Sequence, residues 1–327
     1  MPNYSIAGHW LASISFAARV DFSCIAEKNL SQNEILKRLE QALPAKIFQK
    51  FKQEKAGTVS YPFLTITDPL YPSELREIPY APPVLFYQGN IELLKQPKIA
   101  IVGTRFCSTM AKNFTFQFSR SLSRACCIIS GLAYGIDREA HQGALARTIG
   151  ILGQGLGCKK TSYQRELCDQ ILKHHGLLLS EFHPEKSAQK WTFIQRNRTI
   201  AGLSKALIVS EAPKKSGALI SAQNALDFNR EVYAVPNHPF HQNAEGCLQL
   251  LRDGAHIALS ASQIVDDLGL EWIDPIMKTL EKPYSTGDLA QALNLPISQL
   301  LSQLSELEAE GLIQDTGLFW QRNILDH

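Results

Sequence analysis

Residues 99–105 read Ile99-Ala-Ile-Val-Gly-Thr-Arg105, four apolar residues running straight into glycine, threonine and arginine. So short an apolar run is a strand buried on both faces, and a glycine at its end lets the backbone turn sharply and a ligand come close. The same rhythm recurs outward along the chain. CCIISG (126–131), TIGILG (148–153), LLLSE (177–181), KALIVSE (205–211) and EVYAVPN (231–237) are further strand segments. Helical patterns fall between them at about 112–124, 137–145, 166–174 and 219–228. Strands alternating with helices predict an α/β fold, a doubly wound parallel sheet whose ligands bind beyond the carboxyl ends of the strands.

On the amino side, SQNEILKRLEQALPAKIFQKFKQEK has helical spacing, with Ser31 and Glu34 as a capping box and Gly57 as terminator, so residues 1–57 are expected to form a small helical module. Residues 58–97 read as a strand, TVSYPFLTI, and a proline-punctuated lead-in to the sheet domain, which is expected over 98–268. The carboxyl tail, 276–327, changes rhythm: a helix capped at Ser285, a turn at Asn294-Leu295-Pro296, an amphipathic helix ended by Gly311, and a hairpin. That is the order of a winged helix.

An apolar fraction of 45% and 20% charged residues over 327 positions fit a folded, multidomain protein rather than a disordered one. No uncharged apolar run approaches membrane-spanning length, and the first residues lack the features of a secretory signal. Seven cysteines, an odd number without a C-x-x-C pair, fit reduced thiols. A cytoplasmic protein without a metal site or cofactor is therefore expected. The net charge of +2 hides an uneven distribution: 98–260 hold 20 basic and 11 acidic residues, whereas 276–327 hold 3 basic and 7 acidic. A basic block points to a polyanionic partner.

Five motifs follow strands. Gly103-Thr104-Arg105 places a guanidinium where it would grip phosphate, although a loop arginine in water has the same sequence. In SGLAYGID (130–137), Ser130 and Gly131 make a small-residue loop, and Asp137 and His141 have the spacing of an acid–base pair or of a helix cap with a buried histidine. GQGLG (153–157) reads equally as a phosphate cradle or a plain loop. KWTFIQRNRTIAGLS (190–204) brings Lys190, Phe193, Arg196, Asn197 and Arg198 together, a stacking-and-phosphate pattern unless Phe193 and Ile194 belong to the core. Lys215, Ser216 and Gly217 precede a helix whose amino end attracts anions or is merely capped.

Together these stretches resemble the bacterial DNA-processing protein A family (DprA, also called Smf), over Tyr61 to Arg322. The matching segments are YPSELREIPYAPPVLFYQGN, IAIVGTR, SGLAYGIDREAH, LLSEF, RNR-x-IAGLS, SGALISAQ, REVYAVP and GC-QLLRDGA. The family pattern has Tyr-Pro and Pro-Gly where this chain has Tyr163-Gln164 and Pro236-Asn237. The resemblance implies an extended Rossmann-like domain that binds single-stranded DNA, homodimerises and loads RecA recombinase during natural transformation, without enzymatic activity. It also implies that Arg105 holds phosphate, that Lys190 and Phe193 contact backbone and base beside Arg196, Asn197 and Arg198, and that Ser216 and Gly217 supply amides.

The acidic tail, with Glu306, Glu308 and Glu310 on its longest helix, is expected to pack against protein and to bind duplex DNA weakly or not at all. The alternative reading is a nucleotide-cleaving enzyme of the phosphoribohydrolase type, whose chemistry would fall to Asp137 and His141 or to Glu181.

Overall fold

The computed structural model describes residues 60–323 and, before them, five positions in helical backbone: Glu34, Lys37, Arg38, Glu40 and Gln41. The rest of the expected 1–57 module lies outside the described residues, as do the last four positions. The described chain opens with β1 (Phe63–Thr65), the short helix α1 (Ser73–Arg76) and β2 (Val84–Gly89). The alternation follows: β3 (Lys98–Val102), α2 (Thr109–Leu122), β4 (Cys127–Gly131), α3 (Ile136–Gly143), β5 (Thr148–Ile151), α4 (Ser162–Lys173) and β6 (Leu177–Ser180). It continues with α5 (Lys190–Leu203), β7 (Ala206–Val209), α6 (Gly217–Asp227), β8 (Glu231–Ala234), α7 (Glu245–Arg252), β9 (His256–Ile257) and α8 (Ala261–Asp267).

All nine strands form one sheet in the order β1-β2-β6-β5-β4-β3-β7-β8-β9. From β6 to β9 every neighbouring pair is parallel, while β1–β2 and β2–β6 are antiparallel. The proline-punctuated lead-in thus supplies the two antiparallel strands at one side of the sheet. Successive residues of β3 face opposite layers: Ala100 and Val102 pack with α4, α5 and α6, and Ile99 and Ile101 with α2, α3 and α8. Burial on both faces is why these strands read as unbroken apolar runs. Lys98, buried at the start of β3, is held by the carbonyls of Leu94 and Gln96 at 2.8 and 2.9 Å and by Glu74 at 3.0 Å, so its charge is matched.

Helix α5 was not among the helices expected from the sequence. Its apolar residues do not form one stripe: the last turns, Thr199–Leu203, are buried all round, while Lys190, Trp191 and Ile194 are exposed. Its start is fixed by Thr192, whose hydroxyl accepts from the Gln189 amide at 3.0 Å and donates to the Gly153 carbonyl at 2.6 Å, tying the helix to the end of β5.

Beyond α8 come α9 (Pro275–Thr279), α10 (Thr286–Leu293), α11 (Ile297–Ala309) and the antiparallel hairpin of β10 (Ile313–Asp315) and β11 (Trp320–Arg322). Leu300, Leu304 and Leu307 of α11 share an apolar cluster with Phe118 and Leu122 of α2. The rim of that contact is ionic. Arg124 binds Glu310 at 2.9 and 3.0 Å and Asp274 at 2.8 Å, and Arg120 reaches both Glu306 and Glu310. Among the described residues no helix is long and apolar enough to cross a membrane.

Between β4 and α3 the chain turns at Gly135, with φ of +81°. A Cβ there would fall 2.4 Å from the Thr104 carbonyl and 2.6 Å from that of Arg105. Gly135→Ala is therefore expected to destabilise the fold by about 2 kcal/mol or more, from positive φ and backbone collision together. Urea denaturation of the variant against wild type measures this.

Candidate nucleic-acid interface

The carboxyl ends of β3, β4 and β5 open into a cavity of about 380 Å³, roofed by α5. Arg105 enters it from the loop after β3, Tyr134 from the loop after β4, Gln154 and Lys159 from that after β5, and Phe193 and Arg196 from α5. Each residue is where its element must put it. Phe193 lies on Gly153, where a Cβ would come within 2.7 Å of the ring. Arg196, only 6% exposed, lies over Gly131, and a Cβ on that glycine would fall 1.3 Å from Nη1. Gly131 is small because a guanidinium occupies the space a side chain would need.

Arg196 dominates the electrostatics. Its Nε and Nη1 are buried and find no hydrogen-bond partner among the described residues, and the nearest carboxylate, Asp137, stands 3.9 Å away. Burial lowers the Arg196 pKa, and the neighbouring Arg105 lowers it further against the pull of Asp137. A cation desolvated without its hydrogen bonds is costly, and an anion in the cavity would relieve it. Burial in turn raises Asp137 to about 6, opposed by Arg196 and by the Ala133 amide, which donates to it at 3.4 Å.

The other expected residues divide into groups. Lys190 is exposed at the first turn of α5 and is not among the residues lining the cavity. Gly103 and Thr104 shape the loop: the Thr104 amide donates to the Glu211 carbonyl at 2.8 Å, and its hydroxyl accepts from Phe106 at 3.2 Å. Ser130 lies inside β4, donates to the Ile101 carbonyl at 2.6 Å and stands beside the Asp137 carboxylate. Ser216 caps α6 by accepting from the Ala218 amide at 3.2 Å, beside the exposed Lys215 and Gly217, and Asn197 reaches this group through the Gly217 carbonyl at 3.4 Å. Arg198 points elsewhere. It donates to the Pro79 carbonyl and lies over the rings of Tyr80 and Phe228, 5.8 Å from each centroid.

Two chemical readings of the motifs change. His141 does not pair with Asp137: its ring nitrogens contact the Thr148 hydroxyl at 2.7 Å and the Gly131 carbonyl at 3.0 Å, and burial lowers its pKa to about 4. Nor does Asp137 cap α3, whose cap position is Gly135. The GQGLG loop turns its amides inward, Gly155 to the Lys186 carbonyl at 2.8 Å and Gly157 to that of Pro184 at 3.0 Å, so it is not a phosphate cradle. Glu181, the other candidate acid, is buried and accepts from Gln195 and Thr199, each at 2.8 Å.

Sequence reading missed Tyr134, Gln154, Tyr163 and Gln164 as cavity walls. The tyrosine rings stand 4.8 Å apart, and the Tyr163 hydroxyl donates to the Ala133 carbonyl at 3.0 Å. Gln164, where the family pattern has proline, sits in the first turn of α4, its amide donating to Thr161 at 3.2 Å. Nothing in a tyrosine's local sequence marks it as a cavity wall.

An open, mostly parallel α/β sheet with an arginine-lined cavity beyond its carboxyl edge defines the class. The chain belongs to the DNA recombination-mediator protein A family, whose sequence model matches residues 62–269. It is 44% identical over 215 residues to protein Smf of Synechocystis sp., a match covering 63% of this chain and 54% of that protein. It is 38% identical over 231 residues to the DNA processing protein DprA of Streptococcus pneumoniae, covering 70% and 78% of the two chains. The X-ray structure of the S. pneumoniae protein superimposes with a TM-score of 0.70 at 31% identity, over 81% of this chain and 99% of that one. DNA processing protein A from Helicobacter pylori, studied for its single-stranded DNA binding mode, superimposes with a TM-score of 0.59 at 28% identity, over 64% and 96%.

The raised pKa of Asp137 gives the cavity a pH dependence. Its carboxylate opposes anions while ionised, so affinity for a phosphate-bearing ligand is expected to rise severalfold as pH falls through about 6, with His141 still neutral. Asp137→Asn should bind more tightly at pH 8 and lose this dependence, as read by anisotropy titrations between pH 5 and 8. Stability responds differently. Protonation of Asp137 favours the fold as pH falls through about 6, while the buried neutral His141 disfavours it below its ordinary 6.5, so the two oppose each other.

Proposed function

We propose that this chain binds single-stranded DNA in the Arg105–Arg196 cavity and acts without catalysis, as a mediator of DNA processing and recombination. The carrying observation is Arg196, a buried guanidinium with unmatched donors facing a cavity that also holds an exposed arginine and a phenylalanine. Phosphate supplies what the guanidinium lacks, and the Phe193 ring offers a face to a base. Lys190 extends the positive track, and the capped amino end of α6 with Lys215 continues it. Membership of the family and likeness to the Helicobacter pylori protein, studied for its single-stranded DNA binding mode, support the same ligand.

The proposal extends to a homodimer that delivers the strand to RecA recombinase. Strand β9, last in the sheet order, supports self-association: Ile257 and Leu259 are 46% and 58% exposed there. The unit from α9 to β11 we assign to protein packing rather than duplex binding, because Glu306 and Glu310 of α11 already engage Arg120 and Arg124.

Fluorescence anisotropy with a labelled single-stranded oligonucleotide across a salt series tests this. The logarithm of the binding constant is expected to fall against log salt with a slope of about −0.7 per phosphate neutralised. Arg105→Ala/Lys190→Ala should weaken binding and flatten that slope, and a duplex of the same sequence should compete poorly. Binding indifferent to both substitutions would move the site elsewhere.

A further inference from the structure

The crevice between β3 and β7, where the strand order reverses direction, lies beside the Arg105 cavity and is organised by a different residue. Glu211, two residues after β7, is fully buried. Its carboxylate accepts from the Ser108 amide at 3.1 Å, the Ser108 hydroxyl at 2.6 Å and Asn243 Nδ2 at 2.8 Å, with His241 Nδ1 4.0 Å away. Asn243 also donates to the Phe106 carbonyl at 2.7 Å. One buried carboxylate therefore fastens the loop after β3 to the loop after β8. What the fastened loops and the adjoining first turn of α2 display is apolar: Phe106 is 87% exposed, Met110 78% and Phe240 93%. Single exposed apolar residues need no explanation, but two on cross-linked loops with a third, Met110, in the first turn of α2, beginning at the residue after Arg105, do.

The surroundings identify the occupant. Segments 103–115, 212–222 and 235–244 contain no aspartate or glutamate, while Arg105, Lys112, Lys214 and Lys215 lie within the first two. Exposed rings among cations suit a strand of nucleic acid, whose bases stack and whose phosphates attract. Two copies of such a surface would repel each other. We propose that Phe106, Met110 and Phe240 form a nucleobase-stacking platform that receives the bases of a single strand as it leaves the Arg105 cavity. The inference rests on the single-stranded DNA reading and adds to it a second recognition element, held in place by Glu211.

The test is Phe106→Ala/Phe240→Ala in the full chain; both rings are almost wholly exposed, so an unchanged thermal midpoint is expected. Anisotropy with a labelled single strand should show a loss of about tenfold or more, since each base–ring stack is worth roughly 1–3 kcal/mol. The slope of log affinity against log salt should stay that of wild type, because a phenyl ring releases no counterions. A strand of abasic sites should bind wild type and variant alike. Equal affinity of both proteins for the base-bearing strand overturns the platform, and a flattened slope would mean that phosphate contacts, not stacking, were lost. Unchanged DNA affinity with a shift to a smaller species in sedimentation velocity would make the patch a contact between copies instead. If wild type binds no single strand at any salt, the underlying ligand assignment fails, and the platform with it.

Discussion

A guanidinium buried without its hydrogen bonds is the constraint around which the carboxyl edge of this sheet is arranged. Arg196 reaches the interior only because Gly131 has no side chain, and Asp137 stands near it without closing a hydrogen bond. A tight Arg–Asp pair would have satisfied the arginine and left the cavity neutral. At 3.9 Å the carboxylate moderates the charge and leaves donors free, a poised state that favours an anion entering from outside. The raised pKa of Asp137 is the other side of this arrangement, since both groups bear desolvation that neither fully relieves for the other.

The sheet makes the arrangement possible. Parallel strands send each crossover back along one face of the sheet or the other, so the loops after β3, β4 and β5 collect at one edge. Helix α5 then crosses above that edge, anchored by the bond from Thr192 to the Gly153 carbonyl. Glu211 performs a related task on the far side of β3, where its carboxylate joins loops from β3 and β8. Two buried acids, Asp137 and Glu211, thus position the two halves of the edge, one by limiting a charge and one by fixing backbone.

The parallel core was legible because strands buried on both faces must be apolar throughout, and glycine must follow where a chain turns close to a ligand. Arg105 was legible for the same reason. Helix α5 was not, and its loss misrepresented the site. Read as a linear cluster, Arg196, Asn197 and Arg198 look like one basic patch. On a helix, residues two apart face nearly opposite ways. Arg196 therefore enters the cavity, whereas Arg198 turns to Tyr80 and Phe228. The motif's composition was readable, but its division between two surfaces required the helix, and α5 carries no amphipathic stripe to announce it. Tyr134 and Gln154 were hidden for a simpler reason: their role comes from neighbours distant in sequence.

The uneven charge of the chain also takes its meaning from the fold. The acidic tail does not merely offset the basic block; it selects which part of the block stays free. Glu306, Glu310 and Asp274 engage Arg120 and Arg124 at the amino-end side of the sheet, where α2 finishes. Arg105, Lys190, Lys214 and Lys215 lie outside that network of ion pairs, at the edge where the strands end. The internal ion pairs neutralise the face that packs against α11 and leave the exposed cations on the cavity edge. A protein with a net charge of only +2 can in this way present a strongly directional field to a polyanion.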